Sequence, residues 1–333
     1  MLLLSFFIVN CSGKRNTPNK PPKIIRPTPQ VATQSVQPSL GRVISRPTPS
    51  PRPTVEHNSR NGETHFREKF KLPKSIQESS GLIKIDNRLW TLNDSGGKAA
   101  LYQIDESNGR IVKTLNILNA RNYDWEDLAY DDTYVYIGDF GNNRGNRRDL
   151  RVYKIPRASL RTQKSVRAEV IDFKYSDQKD FSSKPHKNDY DCEAMIAHKG
   201  KLYLFSKNWQ NKKTRLYALS TQKGKHMANY ISTFNTQGMV TGASMNHELD
   251  ILLLTTYSSL LHVNVWAFTN YRGTNLFNGN AKRLSLKKPL EGQIEGVTFN
   301  GNYKAYLSSE AFKKYIFSFD PTLYELDFSS EFE

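Results

Sequence analysis

The chain has 333 residues, 48 Lys and Arg against 32 Asp and Glu, 37% hydrophobic and 11% aromatic residues, and two cysteines. This composition excludes collagen, a coiled coil and wholesale disorder, and two cysteines exclude a disulfide scaffold. No apolar run reaches the roughly 18 residues a membrane-spanning helix needs, which excludes a polytopic membrane protein.

Residues 1–9, MLLLSFFIV, form an apolar run of signal-peptide length ahead of Asn10 and Cys11. The pattern reads as an export signal with a lipid-accepting cysteine, Cys11, over residues 1–11. It departs from that pattern in Asn10, where a small residue is usual, and in having no basic residue before the apolar run. A cleaved signal without lipid stays open beside it. Residues 12–64 read as a basic, proline-rich linker. The stretch 12–66 carries nine Lys and Arg against two Glu and ten of the fifteen prolines. Such a segment buries too little apolar surface to offset its ordering entropy, so an extended tether is expected. The order signal, tether and domain implies an exported protein held at the outer membrane or cell surface.

From residue 65 to 333 the expectation is one all-β domain. Short β-rich runs alternate with Gly, Asn and Asp turns, and no 3.6-residue stripe reaches helix length. The runs come in fours: 79–85, 88–93, 100–105 and 110–117; 125–130, 133–140, 150–155 and 168–175; 192–198, 201–207, 215–220 and 229–234; 240–246, 250–256, 262–268 and 281–287. A last group offers 294–300, 304–310 and 315–320, then runs out. Four-stranded units at this spacing are the signature of β-propeller blades. Residues 65–72 supply the missing fourth strand and close the ring. Five blades follow, or six if 157–189 holds further strands.

Acidic residues recur where first strands enter a blade: Glu78, Glu126, Glu193 and Glu295. Blade 4 has Thr241-Gly242-Ala243 there instead. Second strands end in acids or amides, among them Asp94, Asp139 and Glu310. Successive strands are antiparallel, so both series are expected at one mouth of the ring. Crowded acids repel unless a cation or a basic group compensates, and oxygen ligands suit Ca²⁺ or Mg²⁺ better than Zn²⁺. Glu78, Glu126, Glu193 and Glu295 are therefore the candidate metal ligands, and Ca²⁺ the candidate ion. Asp94, Asp139, Arg147, Arg148 and Glu310 are candidate ligand-binding residues, the two arginines because the loop 141–149 sits at the same mouth. Purely structural carboxylates and an ordinary turn at 141–149 remain alternatives. Cys192 reads as a buried structural thiol and all four tryptophans as blade packing, with reach to the mouth the alternative for Trp209. No basic helix or aromatic RNA motif accompanies the positive charge, so no nucleic-acid partner is expected. A monomer is expected.

The stretches LWTLNDSGG (89–97), NYDWEDLAYDDTYVYIGDFGNNRGNRRDLRVYKI (122–155), DCEAMIAHKGKLYLFSKNW (191–209) and GQIEGVTF (292–299) resemble a group of exported bacterial β-propeller lipoproteins, mostly of unassigned function. More distantly, the acid-plus-small-residue strand entries are similar to those of phytase-like esterases. The resemblance implies a propeller. The distant relation implies a metal-dependent hydrolase of phosphorylated or esterified small molecules, with Glu126, Glu193 and Glu295 on the metal and Arg147 or Arg148 as substrate clamp. The expected function is an envelope-anchored binding or scaffold module, its partners the membrane through Cys11 and a small ligand or envelope component. The hydrolase is the alternative.

Overall fold

The structure, a computed structural model, describes residues 54–56, 64–258, 262–284, 286, 293–314 and 317–332. Cys11 and the signal and tether residues 1–53 lie outside them. Four-stranded antiparallel units repeat along the chain. Blade 1 is Ser79–Ile85, Arg88–Asn93, Ala100–Ile104 and Ile111–Ile117, and blade 2 is Trp125–Tyr130, Tyr134–Asp139, Arg151–Pro156 and Glu169–Tyr175. Blade 3 is Asp191–His198, Lys201–Lys207, Thr214–Ser220 and Gly224–Phe234. Blade 4 is Met239–Asn246, Ile251–Tyr257, Val263–Thr269 and Asn280–Arg283. Blade 5 takes Ile294–Phe299, Lys304–Ser309 and Thr322–Asp327 from the end of the chain and its outer strand, His65–Lys71, from the start. The ring is a five-bladed propeller closed by the expected N-terminal strand.

One β-sheet face cannot shield itself from water, so each blade hides its apolar faces against two neighbours. Among the described residues five apolar clusters follow, each shared by adjacent blades. Trp90, Trp125 and Tyr153 fill the seam between blades 1 and 2, and Phe205, Phe234 and Phe268 that between blades 3 and 4. Leu72, Leu82, Tyr306 and Leu323 join blade 5 back to blade 1.

Two expectations are corrected. The third strand of blade 5 is Thr322–Asp327, not 315–320. It alone pairs with both Lys304–Ser309 and His65–Lys71 and buries Leu323 and Leu326. Residues Phe312–Lys314 and Phe317–Phe319 instead form a separate hairpin, with Phe319 40% exposed. No sixth blade is hidden in 157–189. That stretch holds one helical turn, Ser159–Thr162, a two-residue strand parallel to blade 1 at Asn116–Ile117, and blade 2's own fourth strand.

Outer edges are covered as well. Gly224–Phe234 begins five residues before the expected strand, and those residues pair in parallel with Ile171–Tyr175, zipping blades 2 and 3 together. Thr54–Glu56, within the stretch read as linker, lies parallel to 280–282 of blade 4. Unpaired strand edges invite association with other chains, and these added strands remove three of them.

The positioning device for the site is a β-bulge repeated in every first strand. The register slips between Ser79 and Leu82, Trp125 and Asp127, Cys192 and Ala194, Val240 and Gly242, and Ile294 and Gly296. A bulge puts two residues opposite one and re-aims a side chain. The skipped residues are Ser80 with Gly81, then Glu126, Glu193, Thr241 and Glu295. Neighbouring blades are stitched at the same level. Ser80 Oγ donates to the Glu126 carbonyl, Asp127 Oδ2 accepts from the Met195 amide at 2.8 Å, and Thr241 Oγ1 donates to the Ile294 carbonyl at 2.5 Å. Gly296 allows this approach, since a Cβ there would lie 2.5 Å from the Ser80 carbonyl oxygen.

Candidate functional site

The three bulged glutamates, Glu126, Glu193 and Glu295, are 4%, 4% and 5% exposed. Around them stand Asp94, at the exit of blade 1's second strand, Asp124, just before blade 2, and Glu310, just after blade 5's second strand. Their charges act on one another across the ring: Glu126 feels Asp94, Glu193 and Asp124, and Glu310 feels Glu295 and Asp94. Five of the nine residues singled out from sequence thus share one funnel: Asp94, Glu126, Glu193, Glu295 and Glu310.

Within it the tightest group is Asp94, Asp124 and Glu126, each offering an oxygen within 4.8 Å of the others. No Lys or Arg lies within ion-pair distance of these three among the described residues. The only hydrogen bond to their carboxylates there comes from the Ser95 amide to Asp94. Burial raises all three, and mutual repulsion adds to it. Asp94 is pushed up to about 7, with Asp124 the next cause, and Asp124 to about 6, with Asp191 the next. Glu126 stands well above its ordinary value, Asp94 and Glu193 adding to the effect of burial. Gly141 closes one side, where any Cβ would fall 2.5 Å from the Asp124 carboxylate carbon and collide with Glu126.

The other half of the funnel carries a positive charge that the sequence pattern did not single out. Lys207 ends blade 3's second strand, where blades 1, 2 and 5 place Asn93-Asp94, Asp139 and Ser309-Glu310. Its side chain is 8% exposed, and Nζ donates to Glu193 Oε2 at 3.0 Å. The ammonium also faces the rings of Trp209 at 5.1 Å and Tyr257 at 5.5 Å. Burial opposes its charge, but Glu193 and Glu295 outweigh that and hold the proton well above the usual lysine range. Glu295 is pushed up to about 7 by burial against the pull of Lys207, and its Oε2 is buried with no hydrogen-bond partner.

The remaining expected residues sit differently. Glu78 is exposed at the rim, where its charge still reaches Glu310, and Ser80 with Gly81, not Glu78, occupies the blade 1 bulge. Asp139 is fully buried and bound by Arg147 at 2.9 Å. Arg147 also donates to the Gly141 carbonyl at 2.8 Å and pairs with Asp149 at 3.2 Å, so its fork latches the 141–149 loop. Arg148 turns away and stacks on Phe181 at 3.9 Å. Neither arginine pairs directly with Asp94, Asp124 or Glu126, although the charge of Arg147 reaches Asp124. Asp191, outside the expected set, is fully buried and accepts from the Asn142 amide at 2.5 Å and from Trp209 Nε1 at 2.7 Å. Trp209 reaches the mouth, the alternative reading for it, while Trp90, Trp125 and Trp266 pack in blade seams. Cys192 is buried, with its thiol raised well above the ordinary value by burial, which leaves it inert.

No protein-family model matches the chain, and no curated protein sequence matches it. Among solved structures it is similar to U3-55K, with a TM-score of 0.42 and 9% identity over 79% of this chain and 98% of that one. It is also similar to the WD40 repeats of RRP9, with a TM-score of 0.39 and 8% identity over 79% and 97%. Hydrazine synthase of Kuenenia stuttgartiensis follows at 0.36 and 7%, over 72% of this chain and 57% of that one. At these identities the likeness is one of fold alone.

Proposed function

We propose that the protein is a binding module of the cell envelope, held by a lipid on Cys11 and a proline-rich tether, whose acidic mouth takes Ca²⁺ and through it a small ligand or an envelope component. The observation that carries this reading is the convergence of Asp94, Asp124 and Glu126 with no Lys or Arg within ion-pair distance among the described residues. Ca²⁺ bonds oxygen at about 2.3–2.6 Å, so oxygens on opposite sides of the ion lie about 4.6–5.2 Å apart, which suits this trio. Asp94, Asp124 and Glu126 would hold the ion, and its charge would relieve their repulsion. The hydrolase alternative is less favoured. Arg147 is committed to Asp139 and Arg148 stacks on Phe181, so neither of the two arginines expected to clamp a phosphoryl group is turned to the acidic trio.

Titration calorimetry and thermal melts with Ca²⁺ and with chelator test the reading. The wild type is expected to bind one ion and to melt several degrees higher with it, and Glu126→Gln to lose at least about tenfold in affinity. A wild type that neither binds Ca²⁺ nor responds to chelator overturns the metal. The anchor has its own measurement: a Cys11→Ser chain is expected to leave the membrane fraction.

A further inference from the structure

The funnel is built from two acidic halves, and only one of them lacks a cation of its own. On the side of blades 1 and 2, Asp94, Asp124 and Glu126 face one another with no Lys or Arg within ion-pair distance among the described residues, and Arg147 and Lys207 draw on Asp124 only from farther off. On the side of blades 3 and 5, Glu193 and Glu295 face Lys207, whose ammonium sits 3.0 Å from Glu193. The lysine does not satisfy that half completely, since Glu295 Oε2 remains buried and unpartnered. Aromatic faces on Trp209 and Tyr257 complete the surroundings of the ammonium. Carboxylates and ring faces around a buried positive charge make a position built for a cation, and here a side chain of the protein fills it.

We propose that Lys207 is the funnel's own counter-cation: it occupies the second of two cation positions, Glu193–Glu295, and so restricts the mouth to a single divalent ion at Asp94, Asp124 and Glu126. This inference rests on the proposed Ca²⁺ reading. The residue acts by position and charge. The ammonium pairs with Glu193 and draws on Glu295, two carboxylates that would otherwise serve as ligands, and it repels a second divalent ion from the space beside them. A plain structural ion pair would differ in one respect. Its loss would lower stability without altering how many ions bind.

The test compares wild type, Lys207→Met and Lys207→Met/Glu193→Gln by calorimetric titration with Ca²⁺ and by melting in chelator and in saturating Ca²⁺. Lys207→Met keeps the side-chain volume and removes the charge. It is expected to bind two ions, or one at least about tenfold more tightly, and to gain more in melting temperature from Ca²⁺ than the wild type does. The double variant removes one acid together with the lysine and is expected to return to one ion. Wild type and Lys207→Met binding one ion each with equal affinity overturns the role of Lys207 and leaves the Ca²⁺ reading standing. Binding by Lys207→Met alone upholds the counter-cation and removes the wild-type metal site. No binding by either overturns both. A Lys207→Met chain that stays unfolded in saturating Ca²⁺ also overturns the inference, because a second ion should take the lysine's place.

Discussion

A chain shortened to residues 73–333 is expected to lose the folded propeller, whereas one shortened to 64–333 keeps it. The difference lies in the strand His65–Lys71 and the turn that follows. That strand pairs with Thr322–Asp327 from His65 opposite Asp327 to Lys71 opposite Thr322. Arg67 bridges to Glu325 at 2.6 Å, Phe66 packs edge-on to Tyr324 at 6.3 Å, and the Leu72 amide donates to the Pro321 carbonyl at 2.7 Å. Leu72 lies within the seam that joins blade 5 to blade 1. Full burial of one such apolar side chain is worth about 1.5–3 kcal/mol. Leu72 is buried and Phe66 and Phe70 are partly so, and together they supply a few kcal/mol, a large share of the stability of an ordinary domain, about 5–15 kcal/mol. The deletion also opens Thr322–Asp327 as a bare edge, a template for aggregation. By contrast, starting at residue 64 removes, among the described residues, the three-residue pairing of Thr54–Glu56 with blade 4. Circular dichroism melts and gel filtration of the two chains decide the matter. Equal melting temperatures and monodisperse peaks would mean that the ring does not depend on this clasp.

That clasp was legible in the sequence because a strand was missing: four groups of four and a last group of three require a fourth strand from elsewhere. The acids of the first strands were legible for a similar reason, since Glu126, Glu193 and Glu295 recur at one place in the repeat. The bulge was not. It is a property of two paired strands, and one strand's residues do not reveal where its partner skips. Hence Glu78 reads from the sequence as the blade 1 member of the glutamate series, although Ser80 takes that place and Glu78 stays on the rim. Strand choice in blade 5 failed by the same logic. Residues 315–320 alternate as well as 322–327 do, and only pairing on both sides separates them. Lys207 escaped because a lysine at a strand end ordinarily reaches water. Its charge is held inside by Glu193 on its own blade and by Glu295, 88 residues away on blade 5, and no local pattern carries that information.

The same crowding of carboxylates predicts how stability depends on pH. In the unfolded chain Asp and Glu titrate near 3.9 and 4.3. In the folded protein burial lifts Asp94 and Glu295 to about 7 and Asp124 to about 6, with Glu126 and Glu310 well above the ordinary range. A carboxylate raised by folding binds its proton more tightly in the native state. The stability it confers is complete below the unfolded value and is lost as pH rises through the folded value. Without a cation the protein should therefore weaken from pH 4 upward. His198 and His247 work in the opposite sense, because burial lowers both, and their contribution is lost as pH falls below about 6.5. Above that value both become neutral in either state, so the interval from pH 6.5 to 8 reports mainly on the acids. Each pKa unit is worth about 1.4 kcal/mol, and a loss of a few kcal/mol across this interval is expected in chelator. A bound divalent ion replaces the protons, so Ca²⁺ should flatten the decline and raise the melting temperature far more at pH 8 than at pH 5. Melts at four pH values with and without Ca²⁺ measure both effects. An Asp94→Asn/Asp124→Asn variant, lacking two of the repelling charges, should show a shallower decline in chelator and little response to the ion. A wild type equally stable at pH 6.5 and pH 8 in chelator would mean that these carboxylates are not crowded as the bulges place them.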